Sequence, residues 1–265
     1  MVPSMSCAFG SLRERSRREW LLCGGALITT GLAGCRASRA DARVLVAAAS
    51  STRELFETCA PGFDPTALDF SFDASSTLAR QIRAGAEFDV FVSADERSLL
   101  RVEGWGRGEY RAFLGNRLAL VARADKAAGI SHPRDLLGEP LNREGAIALG
   151  APEVPAGRYA RAWLTGNGLD ALASRFVYGR NARAVLGLVE AGAAEYAFVY
   201  RSEANRAARV RCVWTAGPLE EPRIRYRVGV ARSARNEAAW SFADWLVAGG
   251  ADRTGLALGF STLEG

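Results

Sequence analysis

From Arg43 onward, short apolar runs alternate with segments of helical period, and that alternation restricts the chain to an α/β layered fold with mainly parallel sheets. VLVAAAS (44–50) reads as a strand buried on both faces, and STRELFETCA after it as a helix with Leu55, Phe56 and Cys59 on one side. LDFSFDAS alternates Leu68, Phe70 and Phe72 in strand fashion. TLARQIRAG places Leu78 and Ile82 one turn apart and stops at Gly85. FDVFVSAD is a third strand. Further strands are expected at NRLALVAR (116–123), GAIALG (145–150), RFVYG, EYAFVYRSEA, RVRCVWT and IRYRVGVAR. Helices are expected at RYARAWLTGNG, ARAVLGLVEAG and 238–247, and GLALGF closes the chain.

The first residues read as an address. A basic stretch holding Arg13, Arg15, Arg17 and Arg18 precedes an apolar run, 20–33, that is too short and too glycine-rich for a comfortable membrane span. This is the layout of a signal peptide over 1–34. SRREWLL (16–22) resembles a twin-arginine export signal. LAGC (32–35) resembles the lipobox of bacterial lipoproteins, which implies a diacylglycerol on Cys35 and a polar tether over 35–42. The expectation is an exported protein, periplasmic or at the cell surface, held to the membrane by a lipidated cysteine.

Several function classes are excluded by what the body contains. Part of the net charge of +5 lies in the leader, and the other arginines are scattered without a basic stripe interleaved with aromatics, so nothing points to nucleic acid. Beyond the leader only Cys59 and Cys212 remain, with no CxxC spacing and one histidine, His132, so a Cys/His metal centre is not expected. Whether these two cysteines are bonded is left open. His132 sits in SHPRD as a cap or a solvent-facing residue. Asp95 reads as a cap for ERSLL. With no GxSxG elbow and no phosphate-binding glycine loop, neither an enzyme nor a cofactor is expected.

In open α/β sheets, ligands gather beyond the carboxyl ends of the strands. There this chain places Ser50, Ser51 and Thr52, then Ser75, Ser76 and Thr77, then the loop APEVPAG (151–157), then Asn181 before Ala182, and finally Tyr200. These are hydroxyls and bare backbone N–H groups. Ser75 or Ser76 is expected to cap its helix, while helix N-termini also favour anions. Arg53, Arg80 and Arg183 lie further into helices and share no evident site.

AAAS (47–50), SSTLARQIRAG (75–85), DVFVSAD (89–95), PEVPAGRYA (152–160) and LVEAGAAEYAFVYRSEA (188–204) together resemble the periplasmic molybdate-binding proteins of bacterial ABC importers. The resemblance runs in order from about 43 to 262. It implies a two-lobed type II periplasmic-binding-protein fold, with one lobe from 43–118 plus about 226–265 and the other from 119–225. NRLALVAR and RIRYRVGV would cross between them. It implies molybdate or tungstate, bound as a dianion without any cationic contact and without a metal cation site. The hydroxyls of Ser50 and Ser75, backbone donors at Ala156 and Ala182, and the phenol of Tyr200 would hold the ion. Two departures stand out: the segment before PAG is one residue shorter than the common family form, and Ala182 stands where valine is frequent. The partner implied is a membrane permease that recognises the closed form of a monomer. The competing readings are a sulfate or thiosulfate carrier of the same fold, a ferric-iron site using Tyr196 and Tyr200, and a structural lipoprotein that binds no anion.

Overall fold

The computed structural model describes residues 43–63, 68–102, 105, 110–138, 145–205, 209–218, 220, 222–234 and 236–264. The expected signal peptide, Cys35 and the tether over 35–42 lie outside the described residues.

The described chain builds two five-stranded sheets. The first takes β1 (Val44–Ala49), β2 (Leu68–Asp73), β3 (Val90–Ser93), β4 (Arg111–Asn116) and β10 (Ile224–Val230). The second takes β5 (Leu118–Arg123), β6 (Ile147–Gly150), β7 (Phe176–Gly179), β8 (Tyr196–Tyr200) and β9 (Val210–Thr215). Their orders are β2-β1-β3-β10-β4 and β7-β6-β8-β5-β9. In each, the first three strands pair in parallel and the remaining two pairings are antiparallel. Both sheets are therefore mixed, a parallel block with an antiparallel flank. β4, over RAFLGN, was not among the expected strands, and its Asn116 had been read as the start of the next one.

Helices cover both faces of each sheet. α1 (Arg53–Cys59), α7 (Glu237–Val247) and α8 (Asp252–Leu258) lie on one side of the first sheet. There Phe56 and Phe242 pack with Phe70 and join Val46, Ala48, Val90 and Val92 in the core. α2 (Ser75–Arg83) and α3 (Glu96–Leu99) cover the other side, where Leu78 and Leu99 meet Ala47 and Phe91. On the second sheet, α4 (Pro155–Gly166) packs Trp163 and Leu164 toward Tyr196 and Phe198, while α5 (Ala182–Glu190) packs Val185 and Val189 against Ala197 and Val199. The alternation along β8 is thus that of an ordinary strand with both faces buried. Each fully buried leucine, valine or phenylalanine contributes about 1.5–3 kcal/mol, so the two layers hold each strand from both sides.

Two crossings join the sheets. Arg117 alone separates β4 from β5, and 216–223 lead from β9 back to β10. α6 (Arg201–Ala204) follows β8 directly and bonds the first crossing, Arg201 N–H donating to the Arg117 carbonyl at 2.9 Å.

Candidate functional site

The carboxyl ends of β1, β2 and β3 in one sheet and of β6, β7 and β8 in the other meet around one cavity. Its wall is Ala49 at the end of β1 with Ser50 and Ser51 after it, Ala74 and Ser75 after β2, and Ala94 after β3. Val154, Pro155 and Ala156, then Ala182 and Tyr200, supply the opposite side. The structure therefore brings together Ser50, Ser75, Ala156, Ala182 and Tyr200, residues spread over most of the body. The space between these residues, part of it open to solvent, is about 190 Å³.

Three helices of nine or more residues begin at this wall. Ser75 opens α2, Pro155 and Ala156 open α4, and Ala182 opens α5. The first N–H groups of a helix have no partner within it, and its N-terminus carries a partial positive charge. Pro155, at the first helical position, gives up an N–H that has no intrahelical use. α4 approaches β6 so closely that a Cβ on Gly157 would overlap the carbonyl oxygen of Gly150. The glycine of PAG is what seats that helix end at the cavity. Ala156, expected in a loop, instead occupies the first turn of α4.

The hydroxyls differ in their partners. Ser75 was expected to cap α2, but the N-cap is Ala74 and no side chain caps this helix. The Ser75 oxygen accepts from the Ala94 N–H at 3.0 Å, tying α2 to the end of β3. Ser50 likewise opens a 3-10 turn, Ser50–Thr52, whose N-cap is Ala49 without a side-chain bond. Asn181 does cap α5, accepting from Ala184 N–H at 2.9 Å. Tyr200 is buried, and its hydroxyl has no hydrogen-bond partner among the described residues. Burial raises its pKa well above the ordinary tyrosine value, with the neighbouring Tyr226 adding to the shift, so it stays a neutral donor at physiological pH.

Among the described residues, no Asp, Glu, Lys or Arg lines the cavity. Charged groups stand just behind the wall and bind each other across the two sheets. Arg158 of α4 pairs with Asp95, which also caps α3 through Ser98 N–H. Asn181 donates to Asp73 at 3.0 Å, whose same oxygen accepts from Ala74 N–H at 2.7 Å. The Tyr159 hydroxyl donates to the Ala94 carbonyl at 3.2 Å. Three links thus join the strand ends of one sheet to the helices of the other. Arg53, Arg80 and Arg183 are absent from the wall; Arg53 lies over the Phe72 ring.

The residues considered for other chemistry are elsewhere. His132 caps a 3-10 helix, Pro133–Leu137, its Nδ1 accepting from Arg134 N–H at 3.1 Å. Cys59 and Cys212 are both free thiols, one buried and one exposed. The linking residues Asp73, Asp95, Arg158 and Tyr159 were not foreseen. Each is one ordinary polar residue in its own segment, and only the facing of the two sheets gives it a partner.

Residues 44–257 match the family model of the bacterial extracellular solute-binding proteins. Over 239 residues the chain is 32% identical to the molybdate-binding protein ModA of Escherichia coli K12, covering 86% of this chain and 93% of that one. Among solved structures, the periplasmic molybdate-binding protein of Azotobacter vinelandii matches with a TM-score of 0.71 at 23% identity, over 82% of this chain and 98% of that one. The sulfate-binding protein SubI of Mycobacterium tuberculosis H37Rv matches with a TM-score of 0.69 at 16% identity, over 84% and 87%. At these identities the two solved structures show a shared fold alone.

Proposed function

Since the chain belongs to the bacterial extracellular solute-binding protein family, a family of carriers and not of enzymes, we propose that it captures molybdate or tungstate between its two lobes and delivers it to a membrane permease of an ABC importer. The observation that carries this reading is the cavity wall: hydroxyls and helix-start N–H groups, with no ionised side chain among the described residues.

A tetrahedral dianion has four equivalent oxygens and needs donors on every side. Hydrogen bonds to a charged acceptor are worth about 1.5–3 kcal/mol each, so the hydroxyls of Ser50, Ser75 and Tyr200 with the N–H groups of Ala156 and Ala182 offset much of the dehydration cost. Three helix N-termini add a favourable potential without a mobile countercharge. The lack of a carboxylate in the wall disfavours an oxyanion that keeps a proton, such as hydrogen phosphate, because that proton finds no strong acceptor. Size then decides among fully ionised dianions. In this reading the lobes are 43–118 with about 226–265, and 119–225. Closing them lines up surfaces from both, which is what a permease would recognise. Export as a monomer anchored through Cys35 completes the proposal.

Sulfate is the second reading, supported by the fold shared with a sulfate-binding protein and by the same neutral-donor chemistry. Calorimetric titration of the purified protein with molybdate, tungstate, sulfate and phosphate separates the two. Tight binding of molybdate and tungstate only is expected. Preference for sulfate would overturn the specificity, and silence with all four anions would overturn the transport reading.

A further inference from the structure

Ser51 adjoins Ser50 in the cavity wall and is buried. Its one hydrogen bond among the described residues is to the Tyr226 hydroxyl, 2.8 Å away, and Tyr226 lies outside the wall on β10. Which of the two donates follows from Asn116. The Asn116 Oδ1 accepts the Arg117 N–H at 2.9 Å, so the other end of that amide is the NH2 group. That NH2 donates to Ser202 Oγ at 2.8 Å and to the Tyr226 hydroxyl at 3.4 Å. Tyr226, already accepting, has its own proton to place, and Ser51 Oγ is the acceptor within reach. In the opposite order the buried Tyr226 proton would have no acceptor, at a cost typical of an unmade bond. With its oxygen occupied by Tyr226, Ser51 keeps its own proton for another acceptor, and the surface it shares with Ser50 and Ser75 is the cavity.

We infer that Ser51 is a further hydroxyl donor to the bound oxyanion, its proton aimed into the cavity by the relay Asn116 to Tyr226 to Ser51. This rests on the oxyanion reading of the cavity. The relay also carries positional information. Asn116 ends β4 at the first crossing, Tyr226 follows the second, and Ser202 stands two residues after Tyr200. Ser51 is therefore oriented from the strands that join the lobes.

The test is calorimetric titration of purified full-length protein with molybdate, for wild type, Ser51→Ala, Tyr226→Phe and the double variant. Ser51→Ala is expected to weaken binding about tenfold to a hundredfold, the range for one bond to a charged acceptor. Tyr226→Phe should weaken it less, since Ser51 keeps its proton and loses only its orientation. The double variant should match Ser51→Ala. Ser51→Cys, close in volume, leaves the Tyr226 proton a weak acceptor and the ion a weak donor. It should lose less stability than Ser51→Ala and still bind more weakly than wild type, which carries the test if the alanine variant folds poorly. Unchanged affinity in Ser51→Ala and Ser51→Cys overturns the inference and leaves the molybdate reading standing. Tyr226→Phe weakening binding as much as Ser51→Ala also overturns it, because Ser51 would then only be supporting Tyr226. A wild type that binds neither molybdate, tungstate nor sulfate removes the oxyanion reading itself, and this inference with it.

Discussion

Tyr200 and Ser75 line the same cavity, and their partners make opposite demands on the protein. The Tyr200 hydroxyl is buried without a partner among the described residues, a state that costs folding about 1–3 kcal/mol. Tyr200→Phe is therefore expected to keep or raise the melting temperature of the ligand-free protein while weakening molybdate binding about tenfold or more. Ser75→Ala should weaken binding as well, but it orphans the buried Ala94 N–H and so costs about 1–3 kcal/mol of stability. Thermal melts and titrations of the two variants, run side by side, check the contrast. Equal destabilisation in both would refute it. The importance of Ser75 is legible in the sequence, since a run of hydroxyls at a strand end is visible there. Its actual partner is not, because Ala94 arrives on a different strand nineteen residues later.

At the scale of the element, the proposed site depends on where helices begin. α2, α4 and α5 start at one cavity because each follows a parallel strand that ends there, and such ends are where ligands gather in α/β sheets. The α4 start is the most tightly specified. Gly157→Ala would drive a methyl group into the Gly150 carbonyl, moving the first turn and the Ala156 N–H with it. We expect a loss of about 1–3 kcal/mol in stability and at least about tenfold in molybdate affinity, one lost bond to charge. Urea unfolding and titration check it; a variant that loses stability at full affinity would show that the α4 start does not hold the ion. The helices themselves were legible from their apolar period. The first turn of α4 was not, because PEVPAG carries loop-forming residues, and proline at the first helical position is read as a helix start only once the helix is seen.

At the scale of the whole molecule, the buried titratable groups impose one pH limit. Burial pushes the Cys59 thiol from about 9 up to about 11 and the Tyr159 phenol up to about 12, and it lifts Tyr200 and Tyr226 well above the ordinary tyrosine value. In the unfolded chain these groups ionise at ordinary values, near pH 9 for the thiol and near 10 for the phenols. Above those values the folded state holds more protons than the unfolded state, so stability falls as pH rises. It is fully present below pH 9, begins to drop as Cys59 enters its window, and falls more steeply above pH 10. Each phenol still protonated in the fold steepens the slope by about 1.4 kcal/mol per pH unit. Urea unfolding at successive pH values should show a plateau to about pH 9 and a decline through pH 10–12. Stability that holds level to pH 12 would contradict the burial of these groups. Tyr159 donates across the two sheets to Ala94, so its ionisation also removes one of the links that hold the lobes together.

The α/β class, most of the strand ends and the hydroxyls and helix starts beyond them were legible in the sequence, because periodicity and turn chemistry act over a few residues. Ser50, Ser75, Ala156, Ala182 and Tyr200 as one set came from the resemblance to the molybdate-binding family. Tertiary structure decided that these positions share one wall and that, among the described residues, no charged side chain joins them there. It also decided that Asp95 meets Arg158, and that Ser51 hangs from Tyr226 and Asn116 across the crossings between the lobes. Those contacts join residues as far as 175 positions apart. The direction of a hydroxyl proton depends on every partner around it at once, and no local pattern in the chain encodes that.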